Sequence, residues 1–333
     1  MPEYLVLLAP SSNRVYAGDA PAITAAEAEI VVSAVHLGGV VGASPTTVAG
    51  VPYLAVELAD AVDPRILGGL AATFAVFERE GDLLRPVEAR GGERFDDDLL
   101  TIPKYPGKTN EQLTRVLLNV TLASTDLPDR ARRTVLDPLA GRGTTLSWAL
   151  TLGHDAVGVE VERREVEAYS AFLTTWLRRK RLKHRIGLTP LRRDGRRLGD
   201  LLEAEIGRDD PQSLVLFAAD TLATAELLQR RRVDVVVTDA PYGVAHGSRG
   251  VRGGRDRSPA DLLADALPVW VSVLRPGGAV GIAWNTHGLS RADLVARCGR
   301  AGLEVCDDGP YRGFAHRVDA GIHRDLLVAR KPR

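Results

Sequence analysis

Four acidic residues stand at or just past the ends of apolar runs. Asp137 closes the run of Val135 and Leu136, Glu160 closes residues 156–159, Asp220 follows residues 214–217, and Asp239 follows residues 233–238. Between the first two lie Gly141 and Gly143, and then Leu146, Trp148, Ala149 and Leu150 at helix-like spacing, a pattern of strand, tight turn and helix. Glycine lets the backbone take positive φ and approach a ligand closely, and the next helix opens with unpaired N–H groups. A carboxylate such as Glu160 at the tip of the second strand is placed to accept hydrogen bonds from ribose hydroxyls. These residues together point to an adenosine. Each also has a plain structural alternative, since a Gly-x-Gly turn needs no ligand and any of the acids can cap a helix or end a strand. Their common place is the carboxyl edge of an open α/β sheet, where ligands bind.

With Asp137, Gly141, Gly143, Glu160, Asp220 and the turn Asp239-Ala240-Pro241-Tyr242-Gly243, the chain resembles the class I S-adenosylmethionine-dependent methyltransferases that act on amines. Their fourth-strand signature is Asp/Asn/Ser-Pro-Pro-Tyr/Phe. Within that class it looks most like the tRNA guanine-N2 methyltransferases, which often carry an N-terminal THUMP-containing RNA-binding region. The likeness covers residues 104–333 and departs at Ala240, where the family usually has its first proline. It implies an α/β fold with a Rossmann-like, seven-stranded, mostly parallel sheet and an antiparallel edge strand. It also implies S-adenosylmethionine as cofactor and RNA, in particular tRNA, as partner. By the same resemblance Asp137 would face the methionine ammonium, Gly141, Gly143 and Thr144 the cofactor backbone, Glu160 the ribose and Asp220 the adenine amine. A helix opening at Thr109 or Asn110 would close over the methionine end, although either residue can equally serve as a plain N-cap.

At the catalytic turn the resemblance assigns the Asp239 carboxylate and the Ala240 main-chain carbonyl as acceptors for the two N–H bonds of the target amine. Pro241 shapes the turn and Tyr242 stacks on the base. An exocyclic amine is a poor nucleophile because its lone pair is delocalised into the ring, so holding it in line with the transferable methyl is the task of such a site. Stacking of ~1–3 kcal/mol and charge-assisted hydrogen bonds of ~1.5–3 kcal/mol each can together offset the few kcal/mol of unstacking a base. Residues 246–257 (HGSRGVRGGRDR) alternate glycine with Arg249, Arg252, Arg255 and Arg257. They read as a phosphate-gripping loop that orders on binding. Two alternatives remain at this level: a DNA adenine-N6 or cytosine-N4 amino-methyltransferase, and a cofactor- or RNA-binding scaffold whose catalytic turn has decayed.

Composition bounds the remaining classes. The 333 residues are 45% hydrophobic with no formal net charge, which suits a soluble chain of two domains and argues against a uniformly basic nucleic-acid binder. Six Lys/Arg stand against fifteen Asp/Glu up to residue 100, so the balance beyond is basic. Two cysteines, Cys298 and Cys306, cannot make a four-ligand metal site, and no metal is expected. The opening MPEYLVLLAP has no basic leader and an apolar run of only five residues, so neither a signal nor a membrane span is expected and the cytoplasm is the default. Gly107-Lys108-Thr109 lacks the glycine that a phosphate loop needs five positions earlier, where Ile102 stands.

Periodicity supplies the elements that must position these residues. A strand is expected over 4–9, a helix over 24–37, strands at 40–41 and 53–58 and a helix over 64–77. These form a small α+β domain, 1–102, ending in a polar linker over 88–98. The second domain, 103–333, is read with helices over 113–120, 162–180, 259–274 and 290–301. Its later strands are expected over 280–284 and 303–306, with 323–329 as the antiparallel edge. The basic run 178–185 reads as a solvated helix end, or less favourably as an RNA contact. Arg192, Arg193, Arg196 and Arg197 belong to an insertion. Residues 310–322 are aromatic and basic, near where the resembling family recognises substrate.

Overall fold

The computed structural model describes residues 1–11, 14–36, 38–89, 92–101, 110–193, 196–229, 232–241 and 258–333. The chain begins with β1 (Glu3–Leu8), α1 (Arg14–Val35), β2 (Val40–Val48), β3 (Val51–Leu58), α2 (Pro64–Gly68), β4 (Thr73–Glu80) and β5 (Leu83–Val87). It continues through α3 (Glu111–Ala123), β6 (Thr134–Asp137), α4 (Thr144–Thr151), β7 (Asp155–Glu160), α5 (Arg163–Arg179), β8 (His184–Arg193), β9 (Arg196–Ile206) and β10 (Gln212–Ala218). The last elements are α6 (Thr224–Leu228), β11 (Val233–Asp239), α7 (Pro259–Val273), β12 (Leu274–Asn285), α8 (Arg291–Arg300), β13 (Glu304–Cys306), β14 (His316–Arg317) and β15 (His323–Arg330).

The first five strands form an antiparallel sheet in the order β2-β3-β1-β4-β5. The second sheet has the order β13-β15-β12-β11-β6-β7-β10-β9-β8, with β14 on β15. Its centre, β12-β11-β6-β7-β10, is parallel, and helices cover both faces through two separate apolar clusters. The strand sequence reverses direction at β6, the switch point at which open α/β sheets bind ligands. This is the Rossmann-like α/β fold expected from the sequence.

Helix α1 begins at Arg14 rather than Thr24, the main sheet has ten strands rather than seven, and four further elements differ from expectation. The helix expected over 64–77 stops at Gly68 with Gly69 as its C-cap, and only glycine fits at 68, where a β-carbon would lie 1.8 Å from the Ala89 carbonyl. Residues from Thr73 then alternate as β4 between β1 and β5. The insertion before the third strand is the hairpin β8–β9, which lengthens the parallel sheet by two antiparallel strands. Strand β15 is antiparallel but internal, hydrogen-bonded to both β12 and β13. Its buried run of residues 324–329 needs cover on both sides, while the three-residue, half-buried β13 makes a tolerable edge. The expected linker over 88–98 is partly core, since Ala89 and Phe95 are buried. Phe95 meets Trp176 edge-on at 5.5 Å, and Asp98 accepts from Trp176 Nε1 at 2.8 Å.

Helix α1 joins the two sheets. Ala25, Ala28 and Val32 pack into the first sheet's core, whereas Tyr16, Ala20, Ile23, Ala26 and Ile30 join the cluster that holds α3 and α4. A helix that is apolar on more than one face is buried on more than one face. In this contact Glu27 is fully buried, accepting from Ala71 N (3.1 Å) and Asn119 Nδ2 (2.7 Å). Burial outweighs these bonds and pushes its pKa up to about 7. The stabilisation from a carboxyl raised in the folded state is full below its unfolded value, near 4.5. It is lost as the pH rises to 7, an effect on the order of 3 kcal/mol. Glu27→Gln should therefore flatten the fall in melting temperature between pH 5 and pH 8, as thermal unfolding across that range would show.

Among the described residues no helix is long and apolar enough to cross a membrane. Cys298 is buried and Cys306 half-buried, and both are free.

Candidate active site

The turn after β6 is built around two left-handed glycines, Gly141 at φ 51° and Gly143 at φ 77°. Gly143 N donates to Ala140 O at 2.7 Å and Ala140 N to Val159 O at 2.9 Å, which ties the turn to β7. Gly143 is also the N-cap of α4 and brings no side chain to the helix's first amides. A β-carbon at Gly143 would lie 2.7 Å from the Tyr169 ring, so the tyrosine of α5 forms the floor of the turn. The Thr144 hydroxyl is buried and has no hydrogen-bond partner among the described residues. A buried hydroxyl is ordinarily satisfied.

Asp137 is 3% exposed and sits at the mouth of this turn. Its Oδ1 accepts from Leu139 N at 3.1 Å and from Thr238 Oγ1 at 2.9 Å. Burial pushes its pKa up to about 6 against hydrogen bonds from Thr145, Leu139 and Thr238, and the nearby charge of Asp239 adds to the rise. Glu160 spans the turn from β7, with Oε2 accepting from Gly141 N at 2.8 Å and Oε1 from Glu162 N at 2.7 Å. Burial raises its pKa as well. Asp220 is exposed and caps the short turn after β10 by accepting from Leu222 N at 2.9 Å.

On the other side of β6, Asp239 ends β11 with its side chain 17% exposed. Ala240 is buried and its N–H donates to Ala283 O of β12 at 2.8 Å. That bond extends the parallel ladder one residue past the strand and fixes the corner where the family's proline is missing; Pro241 follows, exposed. Thus β10, β7, β6 and β11, which are consecutive in the sheet, deliver Asp220, Glu160, Asp137 and Asp239 to one edge. Asn110 is the N-cap of α3, accepting from Gln112 N at 2.9 Å, which is the capping role. Thr109, Tyr242, Arg249, Arg252, Arg255 and Arg257 lie outside the described residues.

Four contributors went unread in the sequence. Thr238 and Thr145 hold Asp137, and Tyr169 supports Gly143. Arg324, buried on β15, approaches Asp239 Oδ2 with Nη2 at 3.6 Å. A threonine beside each motif residue was a weak local signal; nothing local marks Arg324. The segment 310–322 places Phe314 and His316 in the core and bonds the Tyr311 hydroxyl to Ser124 at 2.8 Å.

No family model matches the chain. The chain is 27% identical over 191 residues to a tRNA (guanine(10)-N2)-dimethyltransferase of Methanothermobacter thermautotrophicus, a match covering 57% of this chain and 42% of that protein. It therefore spans about two fifths of the length of the curated relative it matches. Similar solved structures include TrmN from Thermus thermophilus, at 15% identity with 99% of this chain and 100% of that one covered, and a TM-score of 0.44. Another is the T. thermophilus 16S rRNA N2 G1207 methyltransferase RsmC, in complex with AdoMet and guanosine, at 19% identity, 87% and 58% coverage and a TM-score of 0.37.

Proposed function

We propose that this protein is an S-adenosylmethionine-dependent methyltransferase acting on an exocyclic amine of a base in RNA, namely guanine N2 in tRNA. The observation that carries this reading is the convergence of Asp137, Glu160, Asp220 and Asp239 on one rim around the Gly141–Gly143 turn. The sequence relative named as a tRNA guanine-N2 dimethyltransferase supports the choice of base and of RNA. Residues 1–102 are proposed as an N-terminal domain that packs through α1 against the rest, and residues 103–333 as the methyltransferase domain.

The residues present fit the cofactor. The unpartnered, buried Thr144 hydroxyl and the amides of the first turn of α4 offer hydrogen bonds. Asp137 would hold the ammonium, Glu160 the ribose and Asp220 the adenine amine. When bound, the cofactor supplies a methyl group already activated by its sulfonium charge. The chain's own residues then orient the acceptor. The Asp239 carboxylate and Ala240 carbonyl would accept the amine's N–H bonds, aiming its lone pair at the methyl carbon, and Asp239 is placed to take up the proton that nitrogen sheds. Tyr242 would stack on the base, and Arg249, Arg252, Arg255 and Arg257 would bind flanking phosphates.

The test is to incubate the protein with labelled S-adenosylmethionine and separate tRNA and DNA pools and identify the modified nucleoside. N2-methylguanosine in tRNA supports the reading. Label in DNA adenine or cytosine supports the DNA alternative, and cofactor binding without transfer supports a scaffold. A linked prediction concerns pH. Asp137, with its pKa near 6, pairs with an ammonium only when ionised. Cofactor affinity should then rise as the pH passes upward through about 6 and level off above it. Asp137→Asn should bind about 10- to 100-fold more weakly and lose the pH dependence, as titration calorimetry from pH 5 to pH 8 would show.

A further inference from the structure

Asp239 and Arg324 reach towards each other over an intervening strand. Asp239 is paired with Ala283 of β12, Ala283 with Leu326 of β15, and Arg324 lies two residues before Leu326, opposite Asn285. Val235, Val237, Ala283, Leu326 and Val328 share one apolar cluster, so by the two-residue period of strands Asp239 and Arg324 project from that same face. On this face of β12, Ala283 lies opposite Asp239 and the buried Asn285 opposite Arg324, and the small Ala283 methyl leaves room for the guanidinium to reach across. The Arg324 side chain is 6% exposed, with Nη2 3.6 Å from Asp239 Oδ2. On its far side His316 of β14 is paired opposite Arg324. The His316 ring meets Tyr16 of α1 edge-on at 5.7 Å, and the charge of Arg324 acts on the Tyr16 hydroxyl.

We propose that Arg324 is a positioning residue that holds the Asp239 carboxylate aimed at the target amine. This rests on the role given to Asp239 under the proposed function. The Arg324–Asp239 contact is longer than a hydrogen bond. It restrains the carboxylate by charge. Burying a guanidinium is costly, and here the charge lies one strand from the proposed reacting centre. Tyr16 and His316 wall the guanidinium in, so the N-terminal helix reaches the site through this row.

The test measures methyl transfer from S-adenosylmethionine to unmodified tRNA transcripts by wild type, Arg324→Gln, Arg324→Lys, Asp239→Asn and the Arg324→Gln/Asp239→Asn double variant. Arg324→Gln should lower kcat roughly 10- to 100-fold, with cofactor Kd and RNA KM within about threefold, and Arg324→Lys should recover part of the loss. The double variant should be no slower than Asp239→Asn alone, because Arg324 acts only through that carboxylate. An unchanged kcat in Arg324→Gln, a loss confined to KM or Kd, or losses that multiply in the double variant would each overturn the proposal. Should Arg324→Gln fail to fold, adding Arg324→Lys to Asp239→Asn decides: no further loss supports the proposal and further loss overturns it. A wild type that methylates no RNA overturns the proposed function and this role together, whereas an active wild type matched by Arg324→Gln overturns this role alone.

Discussion

Replacing Asp239 by alanine is expected to slow methyl transfer by roughly 10²–10³-fold, the loss typical of removing one preorganised hydrogen-bonding group aimed at a transition state. Cofactor affinity should stay within about threefold. Asp239 lies at the end of β11, beside the turn and outside it. The contacts that shape the turn run instead through Asp137, Glu160 and the amides of Gly141 and Glu162. Removing the Asp239 charge also relieves one of the influences that raise the pKa of Asp137. Cofactor binding at pH 6 should therefore strengthen slightly while turnover collapses. Calorimetry paired with single-turnover transfer separates the two effects. A scaffold with no chemistry would show neither loss, and a variant that lost cofactor binding along with turnover would place Asp239 in the cofactor's pocket.

The second large effect is expected at Gly143. Alanine there must adopt φ near 77°, a left-handed conformation costing about 1–2 kcal/mol for a residue with a β-carbon. Its methyl would also lie 2.7 Å from the Tyr169 ring. The ring is fully buried, and its hydroxyl lies 3.2 Å from Ser147 Oγ, so it cannot swing aside without losing that hydrogen bond. Overpacking of this kind costs about 1–3 kcal/mol. Gly143→Ala should thus destabilise the fold by roughly 2–5 kcal/mol in chemical denaturation and displace the first turn of α4. Tyr169→Leu opens the space, so the double variant should lose less than the sum of the two single losses. Simple addition would show that the tyrosine is not the floor of the turn.

Local patterns account for much of what was legible. Apolar runs closed by an acid gave β6, β7, β10 and β11, and an asparagine before Leu113 gave the cap of α3. Patterns failed where a neighbour decided. The 64–77 segment has enough apolar residues for a helix, but the residues from Thr73 on find strand partners in β1 and β5. The stretch over 88–98 is polar enough for a linker, yet Phe95 is drawn into the core by Trp176, eighty residues away.

The sequence by itself determined the parallel α/β centre, the glycine turn and the order in which four carboxylates arrive at the rim. Those features rest on strand period, backbone freedom at glycine and the placement of strand ends, all of which are local. Only the tertiary structure decided how the carboxylates are tuned and supported. Burial raises the pKa of Asp137 to about 6, and the approach of Arg324 to Asp239 joins residues 85 positions apart. Desolvation and cross-sheet ion pairs depend on which surfaces meet when the chain packs, and no short stretch of sequence carries that information.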